Sequence, residues 1–221
     1  MTETISVREF HEAAGDDWRV VGDGACAYFA TGSFGAGARL VEALASIPGI
    51  EDHPPDVDLR DDGVTVRLLT MTAEWYGMSR RDLSLAREIS AVARGLGFAA
   101  DPSKVQSVLI IPGASDTAEV MPFWQAILGY ERRPDSPEED LVDPRRRGPA
   151  FWFERMQETR PGDLGAVHVA VWLPYEQAEK RLSAALAAGG RVVRDEFAPM
   201  WWTLADAAGN EADISTPKGR D

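Results

Sequence analysis

GIEDHPPDVDLRDDGVTVRLLTMTAEWYGMSRRD, residues 49–82, holds the features from which the fold of the first half follows. It opens on an acidic loop, Glu51-Asp52-His53-Pro54. Two strand-like runs follow, residues 57–60 and 64–69, and Asp61-Asp62-Gly63 between them is a hairpin signal. The stretch closes on Ser79 with Asp82 three residues on, a capping box that carries Asp in place of the usual Glu. A histidine flanked by carboxylates at the mouth of a sheet is a place to expect proton chemistry. A neighbouring carboxylate raises an imidazole's pKa and selects its tautomer, which makes His53 the expected acid–base group and Asp52 and Glu51 its tuning residues.

Working outward, residues 5–14 read as a helix and residues 18–30 as two strands around Gly22-Asp-Gly24. Ser33 is placed to cap a helix that buries Phe34, Leu40, Val41, Leu44 and Ile47 and stops at Pro48-Gly49. The helix opened by Ser79 buries Leu85, Ala86, Ile89, Ala93 and Leu96. Residues 1–100 therefore read as αββαββα, an antiparallel sheet with helices on one face, an α+β layout. Residues 101–104 read as a linker.

Beyond the linker the pattern doubles. An apolar strand ends in Pro112, and a helix from Asp116 ends at Gly129. Sixty-odd residues later a second apolar strand ends in Pro174, and its helix ends at Gly189-Gly190. Each copy continues in short strands, so residues 105–217 read as a tandem βαβββ domain.

The formal charge of −13 and pI near 4.7 argue against nucleic acid and against an anionic membrane surface as partners. No apolar run approaches a membrane span, and Cys26 is the single cysteine, which excludes an internal disulfide and a thiolate metal cluster. A cytoplasmic protein is the expectation, and only His11, His53 and His168 can supply imidazole.

The first half resembles the pterin-4a-carbinolamine dehydratases on Asp52-His53-Pro54 and on Gly77-Met78-Ser79-Arg80-Arg81-Asp82. Family members carry His-His-Pro, a strand, a third His and this helix start. Here the first His is Asp52 and the third is Ala73 or Met71, so His53 alone remains. The resemblance implies a lyase that expels water from a 4a-hydroxytetrahydropterin or a related hydrated heterocycle, with Pro54 and Trp75 beside the ligand.

The second half is similar to the vicinal-oxygen-chelate superfamily (glyoxalase, bleomycin resistance, dioxygenase), on the doubled unit and on the tail from Asp206 through Gly209-Asn210 to Asp213-Ile214. That resemblance implies a cup and a ligand quartet, which the 62-residue offset places at Gln106, Phe151, His168 and Asp213, with Glu154 as a register-shifted substitute. His168, Asp213 and Gln106 are thus the candidates for a divalent metal, no other cofactor being implied, and a metal-free binding cup is the other reading. Trp152, Trp172 and Trp202 are expected to wall a flat ligand. Both families assemble as dimers or tetramers, so a homo-oligomer is expected. Arg145-Arg146-Arg147 reads as a solvated loop. Three functions stand open: the lyase fused to a small-molecule-binding domain, a sequestering protein without chemistry, and a metal enzyme of the glyoxalase or dioxygenase type.

Overall fold

Ser6 starts the first helix: its hydroxyl accepts the Glu9 N–H at 3.1 Å while Glu9 Oε2 accepts the Ser6 N–H at 2.9 Å. The computed structural model describes residues 3–22, 24–114, 116–155, 167–205 and 211–219, with the backbone alone at 123, 126 and 127. They form two units, one from Met1–Met71, Trp75–Val105 and Pro217–Asp221, the other from Thr72–Glu74 and Gln106–Thr216. Among the described residues no helix is long and apolar enough to cross a membrane.

The first unit runs α1 (Val7–Ala14), β1 (Arg19–Val21), β2 (Gly24–Ala30), α2 (Phe34–Ala45), a 3-10 turn (Ile50–Asp52), β3 (Asp56–Leu59) and β4 (Gly63–Leu68). A ribbon of β5 (Thr70–Met71) and β6 (Tyr76–Gly77), then α3 (Arg80–Gly95) and β7 (Ala99–Ala100), complete it. The sheet is antiparallel in the order β1-β2-β4-β3, with β7 also on β2. Strand alternation sends Ala25, Ala27 and Phe29 of β2 and Val64, Val66 and Leu68 of β4 into one core with Phe10, Leu40 and Ile89 from the helices. Each Val, Leu, Ile and Phe among them contributes about 1.5–3 kcal/mol of burial. Trp18, also fully buried, donates Nε1–H to Ala86 O at 3.1 Å and Ser90 Oγ at 3.0 Å, tying the segment before β1 to α3. Phe34 and Leu96, expected inside, are exposed at 60% and 44%, because each sits at a helix end beyond the sheet's cover.

The second unit repeats one motif. β8 (Ser107–Ala114), α4 (Thr117–Leu128), β9 (Glu131–Arg132), β10 (Asp140–Val142), β11 (Ala150–Trp152) and β12 (Glu154–Arg155) make the first copy. β13 (Val167–Trp172), α5 (Tyr175–Ala187), β14 (Arg191–Arg194), β15 (Trp201–Ala205) and β16 (Glu211–Ser215) make the second. They share one sheet, β14-β15-β16-β13-β8-β11-β10-β9, in which the two leading strands lie antiparallel and β12 also pairs with β8. Both units are α+β.

Pro112 does not end its strand as the sequence suggests: β8 runs on to Ala114. Along its outer side β8 meets β11 at Leu109 and Ile110 and β12 at Gly113 and Ala114, so the residue without an N–H falls in the gap between two partners. The basic loop is built rather than merely solvated. Asp143 accepts backbone N–H from Arg145, Arg147 and Gly148 at 2.9–3.0 Å, and Arg146 takes φ +54°. The carboxyl is held below its ordinary range by those N–H groups.

Alternation also sorts the faces of this sheet. Ile110, Leu141 and Phe151 pack with Met121 and Trp124 of α4, and Val171, Leu204 and Ile214 pack with Ala178 and Leu182 of α5. Their strand neighbours occupy the face opposite α4 and α5: Leu109, Trp152, His168, Trp172, Trp201, Thr203 and Asp213.

Candidate functional site

In the first unit His53 sits just past the 3-10 turn and reaches the N-terminus of α3. Its Nε2 lies 2.7 Å from Asp82 Oδ1, with the imidazole 17% exposed and the carboxylate fully buried. A carboxylate only accepts, so Nε2 carries the proton and donates it. That fixes the neutral tautomer and leaves Nδ1, which has no hydrogen-bond partner among the described residues, as the basic nitrogen.

Asp82 is the hub. Its Oδ2 accepts the Ser79 N–H at 2.8 Å and lies 2.7 Å from Ser79 Oγ and 2.6 Å from Thr70 Oγ1, and the two hydroxyls are themselves 2.7 Å apart. Burial alone would push the carboxyl up. The hydrogen bonds from His53, Thr70 and Ser79 outweigh it and hold Asp82 below its ordinary value, and the N-terminal dipole of α3 acts in the same sense.

Asp82 therefore has two jobs. It closes the capping box of α3 with Ser79, and it anchors His53. The sequence reading took only the first and gave the tuning of His53 to Asp52 and Glu51. The structure places those two elsewhere: Asp52 is 79% exposed with its carboxylate 3.7 Å from Arg81, and Glu51 is exposed. Both lie in the 3-10 turn before His53, and the imidazole is carried by the backbone toward α3 instead. The available signal was chemical. A capping-box position that ordinarily takes Glu holds Asp, whose shorter side chain keeps the carboxylate tight beneath the helix start.

Pro54 is exposed beside His53. Trp75 lies in the turn of the β5–β6 ribbon with its ring over Gly77, where an added Cβ would meet Trp75 Cζ2 at 3.0 Å. Gly77 is paired with Thr70, so this indole rides on the same ribbon that delivers Thr70 to Asp82. Ala73 and Met71, at the third family His, are exposed and bring no donor.

In the second unit His168 Nε2 lies 3.5 Å from Asp213 Oδ2, and Asp213 Oδ1 accepts the Thr203 hydroxyl at 2.7 Å. The His168 pKa is raised, first by its contact with Asp213 and against desolvation, with Glu154 and Glu211 adding to the pull. The other two members of the expected quartet do not join this pair. β8 and β13 are antiparallel, and His168 stands opposite Ile111 while Trp172 stands opposite Ser107. Gln106 is therefore at the far end from His168, within 3.4 Å of Arg181, because an offset measured along the chain ignores the reversal of direction between the two copies. Phe151 packs under α4.

Among the described residues no three His, Cys, Asp or Glu groups converge to hold a metal. A pair of donors without the other two members of the quartet beside it does not make the metal site the superfamily resemblance implies. Residues 206–210 of the tail motif lie outside the described residues.

Of the expected aromatic wall, Trp152 and Trp172 do occupy the face opposite α4 and α5. Trp202 does not: it packs against the α5 core, and its neighbour Trp201 takes the face opposite α5, stacked on Phe197 at 4.4 Å. Asp213 stands opposite Thr203, which settles the phase of β15.

Comparison with known proteins follows the same division. Residues 3–92 match the family model "Pterin 4 alpha carbinolamine dehydratase", and residues 109–215 match "Glyoxalase-like domain". A candidate pterin-4-alpha-carbinolamine dehydratase of Nocardia farcinica is 36% identical over 95 residues, 42% of this chain and 98% of that protein. A similar candidate from Mycobacterium leprae is 32% identical over 74 residues, 34% of this chain and 77% of that protein. Among solved structures, an NAD-dependent benzaldehyde dehydrogenase from Legionella pneumophila overlaps 49% of this chain and 97% of its own at 13% identity and TM-score 0.35. A glyoxalase/bleomycin resistance protein/dioxygenase superfamily member from Vibrio splendidus overlaps 51% and 99% at 15% identity and TM-score 0.32.

Proposed function

We propose that the first unit is an acid–base lyase, from the premise that the chain belongs, through residues 3–92, to the pterin-4a-carbinolamine dehydratase family. Its substrate is a 4a-hydroxytetrahydropterin or a related hydrated heterocycle, in which the carbon bearing the hydroxyl is bonded to a ring N–H. The Nδ1 lone pair of neutral His53 takes that N–H proton. The freed electron pair forms C=N as the C–O bond breaks, and the imidazolium returns the proton to the departing hydroxyl, which leaves as water. Protons balance, and the imidazole ends as it began. Asp82 holds the ring and stabilises the imidazolium between the two transfers.

The supporting observation is the 2.7 Å His53–Asp82 contact, which commits Nε2 and leaves Nδ1 for the substrate. With Asp52 and Ala73 where the family has histidines, one group does work otherwise shared. Each missing acid–base group costs roughly 10²–10⁴-fold, so turnover is expected to be slow. Freshly generated 4a-hydroxytetrahydropterin, followed optically, tests the reading. Dehydration above the buffer rate that disappears in His53→Ala is the expected result. A rate equal to buffer, unchanged in His53→Ala, ends it.

A second reading follows from the exposed position of Asp52, whose carboxylate lies 3.7 Å from Arg81 and brings no further catalytic group to His53. In it the first unit binds the heterocycle without turning it over. A ligand-induced rise in Tm with no dehydration above buffer would establish that reading. In both, the glyoxalase-like unit binds a flat small molecule on the sheet face opposite α4 and α5, against Trp152, Trp172 and Trp201.

A further inference from the structure

We propose that Thr70 is a positioning residue of the His53–Asp82 pair: its hydroxyl holds Asp82 Oδ2, so that Oδ1 is given to His53 alone. The contacts of Ser79 with Asp82 have an explanation of their own, since Ser79 is the N-cap of α3 and Asp82 its capping-box partner. Thr70 does not. It comes from β5, twelve residues before Asp82 in the chain, and is buried with its hydroxyl 2.6 Å from the carboxylate.

Valine has the same shape as threonine and no polar atom to desolvate, so a packing role alone would favour it at a buried strand position. A hydroxyl there is accounted for by the acceptor it meets. Two hydroxyl protons serve three short O···O contacts. However they are shared, Oδ2 receives a hydroxyl proton together with the Ser79 N–H. The carboxylate is pinned on one oxygen and presents the other.

Donors on Oδ2 draw negative charge from Oδ1. Without Thr70 the carboxylate becomes more basic, the imidazolium is better stabilised, and His53 titrates at higher pH. The charged groups nearby act less directly. Asp52 and Arg81 lie 3.7 Å apart in solvent, Arg80 is paired with Glu3, and Glu51 is exposed, so all are screened. The consequence for turnover rests on the lyase reading, whereas the consequence for His53 titration does not.

The test is a pH titration of the imidazole nitrogens by NMR in the full chain, where His53→Gln assigns one of only three histidines. Thr70→Val should raise the His53 midpoint by about half to one pH unit, a fraction of the roughly one to two units that a hydrogen bond to a charged group is worth, because the effect reaches the imidazole through Asp82. Thr70→Ser, which keeps the hydroxyl, should restore it. If the lyase reading holds, the acid limb of kcat/KM moves with the midpoint while KM stays put. A folded Thr70→Val whose His53 curve superimposes on the unaltered protein's overturns the proposal. Should Thr70→Val not fold, Thr70→Ala against Thr70→Ser gives the same contrast, with the same two outcomes. A shifted midpoint in a protein that shows no turnover upholds the positioning role and counts against the lyase alone.

Discussion

Each unit carries a histidine, an aspartate and a threonine in contact, yet the two sets are built for different ends. In the first, Asp82 is fully buried under four donors, and His53 approaches to 2.7 Å. In the second, Asp213 has the Thr203 hydroxyl, His168 stands off at 3.5 Å, and Glu154 and Glu211 add negative charge. The proton balance shifts accordingly: the Asp82 carboxyl is lowered, and the His168 imidazole is raised. A carboxylate saturated by neutral donors behaves as a fixed charge behind a neutral ring. One left nearly bare pulls a proton onto its neighbour. A His–Asp contact is thus not a function by itself, and the other acceptor oxygen decides what the imidazole can do.

The largest effect should come from removing the saturated carboxylate. Asp82→Ala strands Ser79 N–H and one of the two buried hydroxyl protons, breaks the capping box of α3 and removes the partner of His53, at about 3–5 kcal/mol. For a unit of this size that is a fall in Tm on the order of 15 °C or more. Asp213→Ala removes one hydroxyl bond and a long contact, about 1–2 kcal/mol. Denaturant unfolding read separately for the two units measures both, and equal costs would break the comparison.

A middle-sized effect concerns the setting of the second pair, and it shows how far the sequence could be read. The fold class, the doubled unit and the residues that begin and end most helices were legible because capping, turn chemistry and apolar period are local signals. His53 was legible as a candidate for proton chemistry for the same reason. Its partner was not: Asp82 is 29 residues away, and the pairing depends on how the 3-10 turn meets α3. Trp201 and Trp202 were ambiguous because two adjacent tryptophans fit either phase of a strand, and only the register Asp213↔Thr203 chooses. Trp202→Ala should therefore cost about 2–3 kcal/mol through the α5 core. Trp201→Ala should cost about 1 kcal/mol, the worth of its stack on Phe197, and should instead weaken a flat ligand's binding. The reverse ranking in unfolding and ligand titration would put the open face on the wrong side of the sheet.

The smallest effect is in pH dependence, and its sign separates the pairs. The folded pKa of Asp82 lies below its ordinary 3.8, so its ionised form stabilises the first unit. That contribution is present above the ordinary value and is lost as pH falls through the lowered one. The folded pKa of His168 lies above its ordinary 6.5, so the imidazolium stabilises the second unit. That contribution is whole below the ordinary value and is lost as pH rises through the raised one. Between pH 6 and pH 9 the second unit should therefore weaken while Asp82 contributes no slope to the first. Amide exchange in β13 compared with α3 across that range measures the difference, and His168→Gln should flatten the β13 response. A slope that survives His168→Gln would mean that the proton sits elsewhere, and that the bare carboxylate is not what sets the second pair apart.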